Sequence, residues 1–129
     1  MGIHMKKNIL IVDDEPSIHD SLQRTLRNLR DECDFFTAGN GAEALKLMQS
    51  TPIDIIITDL LMPEKEGLET IMEVRKRFPA TKIIAISGGG RNGTIDFLDV
   101  AEKLGASFTL SKPFSPEQIR QVVQKVLNN

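Results

Sequence analysis

The sequence predicts an α/β fold with a parallel sheet, and two observations carry that expectation. Short, unbroken, β-branched runs recur along the chain, which is the pattern of strands buried on both faces. Segments with helical apolar spacing fill the gaps between them, so strand and helix alternate five times. That alternation implies βαβ units with right-handed crossovers around a parallel sheet.

The strands come first. Ile9-Leu10-Ile11-Val12 ends at Asp13-Asp14, Ile55-Ile56-Ile57 ends at Thr58-Asp59, and Ile83-Ile84-Ala85-Ile86 ends at Ser87. Asp34–Ala38 and Ser107–Leu110 are weaker candidates for the second and fifth strands. The helices follow. Ile18, Leu22, Leu26 and Leu29 share a face in the first; Ala44, Leu45 and Met48 do so in the second. Leu68, Ile71, Met72 and Phe78 fit the third, with Val74 near the edge of its stripe. Leu98 and Ala101, with Ile95, mark the fourth. Ile119, Val122, Val123, Val126 and Leu127 give the cleanest stripe. Ser115 can cap that last helix, Pro116 suits its first position, and Glu117 falls in its first turn. Gly88-Gly89-Gly90-Arg91-Asn92-Gly93, after the fourth strand, stands out as a loop and reads as a flexible turn. It lacks the lysine and spacing of a P-loop.

Composition narrows the function classes. The 129 residues suit one domain, and 40% hydrophobic with 26% charged residues is ordinary for a globular chain. A net charge of −2 gives no electrostatic argument for direct nucleic-acid binding. No apolar run approaches the ~20 residues of a membrane span, and no signal peptide is readable. Cys33 is the single cysteine, so an internal disulfide or a Cys-rich metal site is impossible. A cytoplasmic setting is the expectation. Met1-Gly2-Ile3-His4 before Met5 reads as a cloning scar, leaving residues 5–129 as the domain.

In open α/β sheets, ligand sites gather at the carboxyl ends of the strands. Asp13 and Asp14 follow the first strand, Asp59 the third, Ser87 the fourth, and Lys112 comes shortly after the fifth. Strand direction alone therefore brings these five residues into one crevice. Three carboxylates together repel unless a cation joins them. Hard oxygen ligands with an incomplete protein shell suit Mg²⁺. A hydroxyl and an ammonium on the opposite rim suit a phosphoryl group, which Ser87 can hydrogen-bond and Lys112 can neutralise. Asp59 is then a carboxylate nucleophile that forms an acyl phosphate. Taken singly, each Asp could be a helix cap, Lys112 a solvated loop lysine and Ser87 a turn residue. Jointly, five such residues at four matching strand ends are poorly explained that way. His19, on the first helix, reads as exposed or half-buried and not as a phosphodonor; Cys33 and the methionines read as packing residues.

Ile11-Val12-Asp13-Asp14-Glu15, Thr58-Asp59-Leu60-Leu61-Met62-Pro63 and Ser111-Lys112-Pro113-Phe114 resemble the receiver domain of two-component response regulators. The resemblance spans Lys6 to about Leu127. It implies a flavodoxin-like sandwich with sheet order 2-1-3-4-5 and five helices. It implies a signalling switch, not an enzyme beyond its own phosphorylation and slow dephosphorylation. Asp59 would accept the phosphoryl group of a sensor histidine kinase or histidine phosphotransfer protein. Asp14 and Asp59 would ligate Mg²⁺ directly, Asp13 through water and Leu61 through its main-chain oxygen. Ser87 and Lys112 would contact the phosphoryl group, and displacement of Ser87 would remodel a face read by a downstream protein target or output domain. Thr109 stands where the family usually has Tyr or Phe, and Phe108 beside it should face the opposite side of its strand. The Ser87–Lys112 segment is also a few residues longer than usual. Two other classes compete: a small phosphatase or phosphotransferase using Asp59 on free substrates, separable by turnover of phosphate esters, and an inert pseudo-receiver, against which the intact set of five residues argues.

Overall fold

A computed structural model describes residues 6–29, 31–60, 64–87, 97–112 and 114–128. Strands β1 (Lys7–Val12), β2 (Cys33–Ala38), β3 (Ile55–Asp59), β4 (Lys82–Ser87) and β5 (Phe108–Ser111) alternate with helices α1 (Pro16–Thr25), α2 (Gly41–Ser50), α3 (Glu64–Arg77), α4 (Phe97–Leu104) and α5 (Pro116–Leu127). The strands form one sheet of order β2-β1-β3-β4-β5, and every pairing is parallel. The α/β class, the order 2-1-3-4-5 and the five helices are as expected.

Alternation along each strand explains why the runs are apolar throughout. Leu10, Val12, Ile56, Ile83 and Ala85 belong to one core, packed under α2, α3 and α4. Ile9, Ile11, Ile55, Ile57, Ile84 and Ile86 belong to the other, with Leu22 of α1 and Ile119, Val123 and Val126 of α5. With both faces covered, both parities of the central strands favour apolar residues until the strands near their ends.

The helices depart from expectation in two places. The first apolar stripe does not run through one helix: α1 ends at Thr25, and Arg27–Leu29 forms a 3-10 turn. Leu26 donates its N–H to Leu22 O and takes φ −96°, ψ 14°, which ends the α-helical run. Leu26 and Leu29 nevertheless both remain buried against the sheet. On α3 the stripe is rotated: Val74 is fully buried, whereas Met72 is 52% exposed. Gly67, Thr70, Ile71 and Val74 form the buried face, which lies on the other side of Ile71 from Met72.

Helix α5 starts as its sequence suggested. Gln118 N–H donates to Ser115 Oγ (3.1 Å), and Ser115 N–H donates to Gln118 Oε1 (2.8 Å), a capping box with Pro116 at the helix start. At the amino end of the sheet, Arg75 donates to the carbonyls of Pro79, Thr81 and Gly105 (2.7, 3.0 and 3.1 Å). Gly105 has φ +121°, a conformation that side chains resist. These contacts fix the turns remote from the carboxyl ends.

Candidate functional site

The crevice is built by strand register. Val12 pairs with Thr58, Asp59 with Ile86, and Ser87 with Ser111, so the four strand ends lie level in the order β1, β3, β4, β5. Main-chain hydrogen bonds continue the ladder past them: Asp13 N–H donates to Ala38 O (3.1 Å), Leu60 N–H to Ile86 O (2.7 Å), and Lys112 N–H to Ser87 O (2.8 Å). All strands point the same way, but successive strands are laid down on opposite sides of β1, β2 on one side and β3 to β5 on the other, so the crevice lies at the topological switch point.

Strand parity then sorts the side chains. Asp59 follows Ile55 and Ile57, and Lys112 follows Phe108 and Leu110, on the side of α1 and α5. Asp13, Asp59 and Lys112 line one cleft together with Ile11, Ile57 and Phe114. Lys112 Nζ forms an ion pair with Asp59 Oδ2, and the Asp59 side chain is only 6% exposed. Ser87 is buried at the end of β4, on the opposite parity. Asp14 is exposed at the rim. Leu61, Met62, Pro63, residues 88–93, Ile95 and Pro113 lie outside the described residues.

Asp13 is held through both its side chain and its main chain. Its Oδ1 accepts from Glu15 N–H (2.9 Å), so it does form the turn before α1 that a capping Asp would form. Its Oδ2 is buried and has no hydrogen-bond partner. Burial pushes the Asp13 carboxyl up to about 7, the neighbouring Asp59 carboxylate adds to the rise, and the Glu15 N–H and Lys112 oppose it. A buried carboxylate oxygen without a donor is a costly arrangement that a bound cation would relieve.

Ligand oxygens of Asp13, Asp14 and Glu15 lie within 4.8 Å of one another. Glu15 is an addition to the expected set; the Asp-Asp-Glu run was the available signal. The donors are all carboxylate oxygens, which suits a hard divalent cation such as Mg²⁺ and not a thiophilic one. With Asp59 beside Asp13 and Lys112 opposite, the described residues of the crevice carry excess negative charge. The crevice can hold such a cation next to a carboxylate whose own cationic partner could instead meet an incoming phosphoryl oxygen.

Leu60 and Gly67 pack closely behind the end of β3. Leu60 is buried under α3. A Cβ at Gly67 would stand 3.1 Å from Leu60 Cδ2 and 3.2 Å from Leu60 Cα. Glycine there lets α3 approach the end of β3. Gly67→Val is expected to destabilise the fold by about 1–3 kcal/mol and to disturb Asp59 through its neighbour. Urea denaturation checks this; wild-type stability in the variant would contradict the close approach.

Fold and crevice together define a doubly wound domain with an acidic carboxylate–lysine site at its switch point. Residues 9–124 match the family model of the response regulator receiver domain. The chain belongs to that family, whose members are signalling switches of two-component systems. It is 30% identical over 117 residues to the probable C4-dicarboxylate response regulator DctR of Bacillus subtilis, covering 91% of this chain and 50% of that protein. It is 33% identical over 122 residues to the response regulator protein PilR of Pseudomonas aeruginosa, covering 95% of this chain and 26% of that protein. The chain thus spans half or less of the length of these curated relatives. A crystal structure of a receiver domain protein from Clostridium thermocellum superposes with a TM-score of 0.80 at 28% identity, covering 95% of this chain and 94% of that one. Among the described residues, no helix is long and apolar enough to cross a membrane.

Proposed function

We propose that Asp59 is the phosphoacceptor of this receiver domain and that phosphorylation, supported by Mg²⁺, switches a protein-interaction surface. The observation that carries this reading is the cleft in which Asp59, paired with Lys112, lies beside the buried, unpartnered Asp13 Oδ2.

Asp13, Asp14 and Asp59 are the residues proposed to hold the ion, Asp13 through water, with the Leu61 main-chain oxygen completing the set; Glu15 is close enough to join it. The bound cation would offset the negative charge gathered on the carboxylates and the transferring group. An Asp59 carboxylate oxygen attacks the phosphorus of a phosphohistidine, a P–O bond forms as the P–N bond breaks, and the imidazole departs with the electron pair. Lys112 then exchanges its Asp59 partner for a phosphoryl oxygen, and the Ser87 hydroxyl donates to another. Ser87 and Lys112 are joined through their main chains, so movement at Ser87 is felt at the end of β5.

The phosphodonor in this reading is a sensor histidine kinase or a histidine phosphotransfer protein, and the readout is a downstream protein target or an output domain. The domain acts in the cytoplasm, with no direct contact to nucleic acid or membrane. Its chemistry is limited to its own phosphorylation and slow dephosphorylation.

Titrating Mg²⁺ while following backbone amide shifts tests the reading. Shifts are expected at Asp13, Asp14 and Asp59, with loss of binding in Asp14→Asn and Asp59→Asn. Shifts confined to regions away from these residues would overturn the metal assignment.

A further inference from the structure

We propose that His19 is a positioning residue for the acidic site: its hydrogen bond to the main chain of Asp13 sets the direction of the Asp13 and Asp14 carboxylates. The inference deepens the proposed Mg²⁺ reading and rests on it.

His19 lies in the second turn of α1, half-buried, and its Nε2 stands 2.8 Å from the Asp13 carbonyl oxygen. A carbonyl can only accept, so Nε2 is the donor and carries the proton. The bond reaches from the helix back to the residue that follows β1. Its significance comes from what else holds that junction. Glu15, at the N-cap position of α1, contributes no side-chain cap, and Pro16 at the helix start has no N–H to give. The first turn of α1 is therefore weakly tied to the strand by its own backbone. Two groups make the tie: Asp13 Oδ1 receives the Glu15 N–H, and Asp13 O receives the His19 imidazole.

The consequence for the site is geometric. Asp13 N–H is held by Ala38 O on β2, Asp13 O by His19, and Oδ1 by Glu15. Three of the four polar atoms of Asp13 are thus held by hydrogen bonds, which leaves the buried Oδ2 as its one polar atom without a hydrogen-bond partner. The Asp13 carbonyl also fixes the plane of the Asp13–Asp14 peptide, because the peptide unit is rigid. Asp14 is exposed, so the direction of its carboxylate depends on the main chain that carries it. Without the imidazole the Asp13 carbonyl loses its donor, and the peptide that sets the common orientation of Asp13 and Asp14 is held less firmly. Groups that orient metal-binding residues from behind commonly change affinity by one order of magnitude or more.

Three substitutions separate this role from a merely structural one. Gln places an amide nitrogen near the position of the imidazole Nε2, whereas Asn reaches only as far as Nδ1. His19→Ala and His19→Asn are expected to weaken Mg²⁺ binding about tenfold, followed by the amide shifts of Asp13–Glu15. His19→Gln is expected to restore affinity close to that of the wild type. A purely structural role would lower the melting temperature of Asn and Gln variants alike and leave Mg²⁺ affinity unchanged. Wild-type affinity in the Ala and Asn variants, or failure of Gln to rescue, would overturn the proposal. Should the Ala variant fail to fold, the Asn and Gln pair decides. Absence of Mg²⁺ binding by the wild type would overturn the metal reading itself, and with it this inference.

Discussion

Asp13→Asn is expected to make the metal-free protein more stable at about pH 8, by about 1–3 kcal/mol. Burial without a donor on Oδ2, beside the Asp59 carboxylate, raises the Asp13 carboxyl from 3.8 to about 7. The folded state therefore takes up a proton between those values that the unfolded chain has already released. A group shifted in this sense contributes stability that is complete below about pH 4 and is lost as pH rises to about 7, at up to about 1.4 kcal/mol per pH unit. Asparagine carries no charge to desolvate and should abolish that slope. A cation binds only the deprotonated acid, so Mg²⁺ should stabilise the wild type more at about pH 8 than at about pH 5.5. The advantage of the variant should then shrink in Mg²⁺. Urea denaturation at both pH values, with chelator and with Mg²⁺, measures all three effects. A variant less stable than wild type at about pH 8 in chelator would show that the Asp13 charge is compensated in the fold.

The second large effect concerns the lifetime of the phosphorylated state. Hydrolysis of an acyl phosphate on Asp59 needs a water aligned opposite the Asp59 oxygen, and positioned polar side chains supply such alignment. The residues two after Asp59 and two after Ser87 are the sequence candidates for that task; here they are Leu61 and Gly89. Leu61 has no hydrogen-bonding group in its side chain, and Gly89 has no side chain. Loss of an aligning group worth ~1.4 kcal/mol slows a step about tenfold. The phosphoryl group is accordingly expected to persist, and Leu61→Asn combined with Gly89→Glu is expected to shorten its lifetime about tenfold or more. Decay of phosphorylated protein in Mg²⁺, without kinase, provides the comparison. Equal decay rates would show that access of water, and not its alignment, sets the lifetime.

What the sequence made legible follows from how strongly physics constrains each part. The three central strands were readable because a doubly covered sheet favours apolar residues at both parities until the strands near their ends. Their ends were readable for the complementary reason: Asp13, Asp59 and Ser87 are where those runs stop. The opposite parity of Phe108 and Thr109 was also legible: Phe108 and Leu110 pack with the α1 and α5 core, while Thr109 pairs with Ala85 of the other core. The helices were less constrained. A stripe of leucines is equally satisfied by one long helix or by α1 followed by a 3-10 turn, and only packing under the sheet chose the latter. On α3, Met72 and Val74 are both apolar, and the contact of Gly67 with Leu60 helps fix the rotation that buries Val74. His19 carried no signal in the sequence, because its role depends on a main-chain carbonyl, and every residue has one. Glu15 was visible in the acidic run, but its nearness to Asp13 and Asp14 needed the turn before α1.

The central claim is that the carboxylate facing Lys112 receives the phosphoryl group. Intact mass after incubation with acetyl phosphate and Mg²⁺ tests it most directly. The account predicts that the wild type gains the mass of one phosphoryl group, labile to hydroxylamine and not added when chelator is present during the incubation, and that Asp59→Asn gains none. Hydroxylamine-labile phosphorylation persisting in Asp59→Asn would contradict it and place the nucleophile elsewhere.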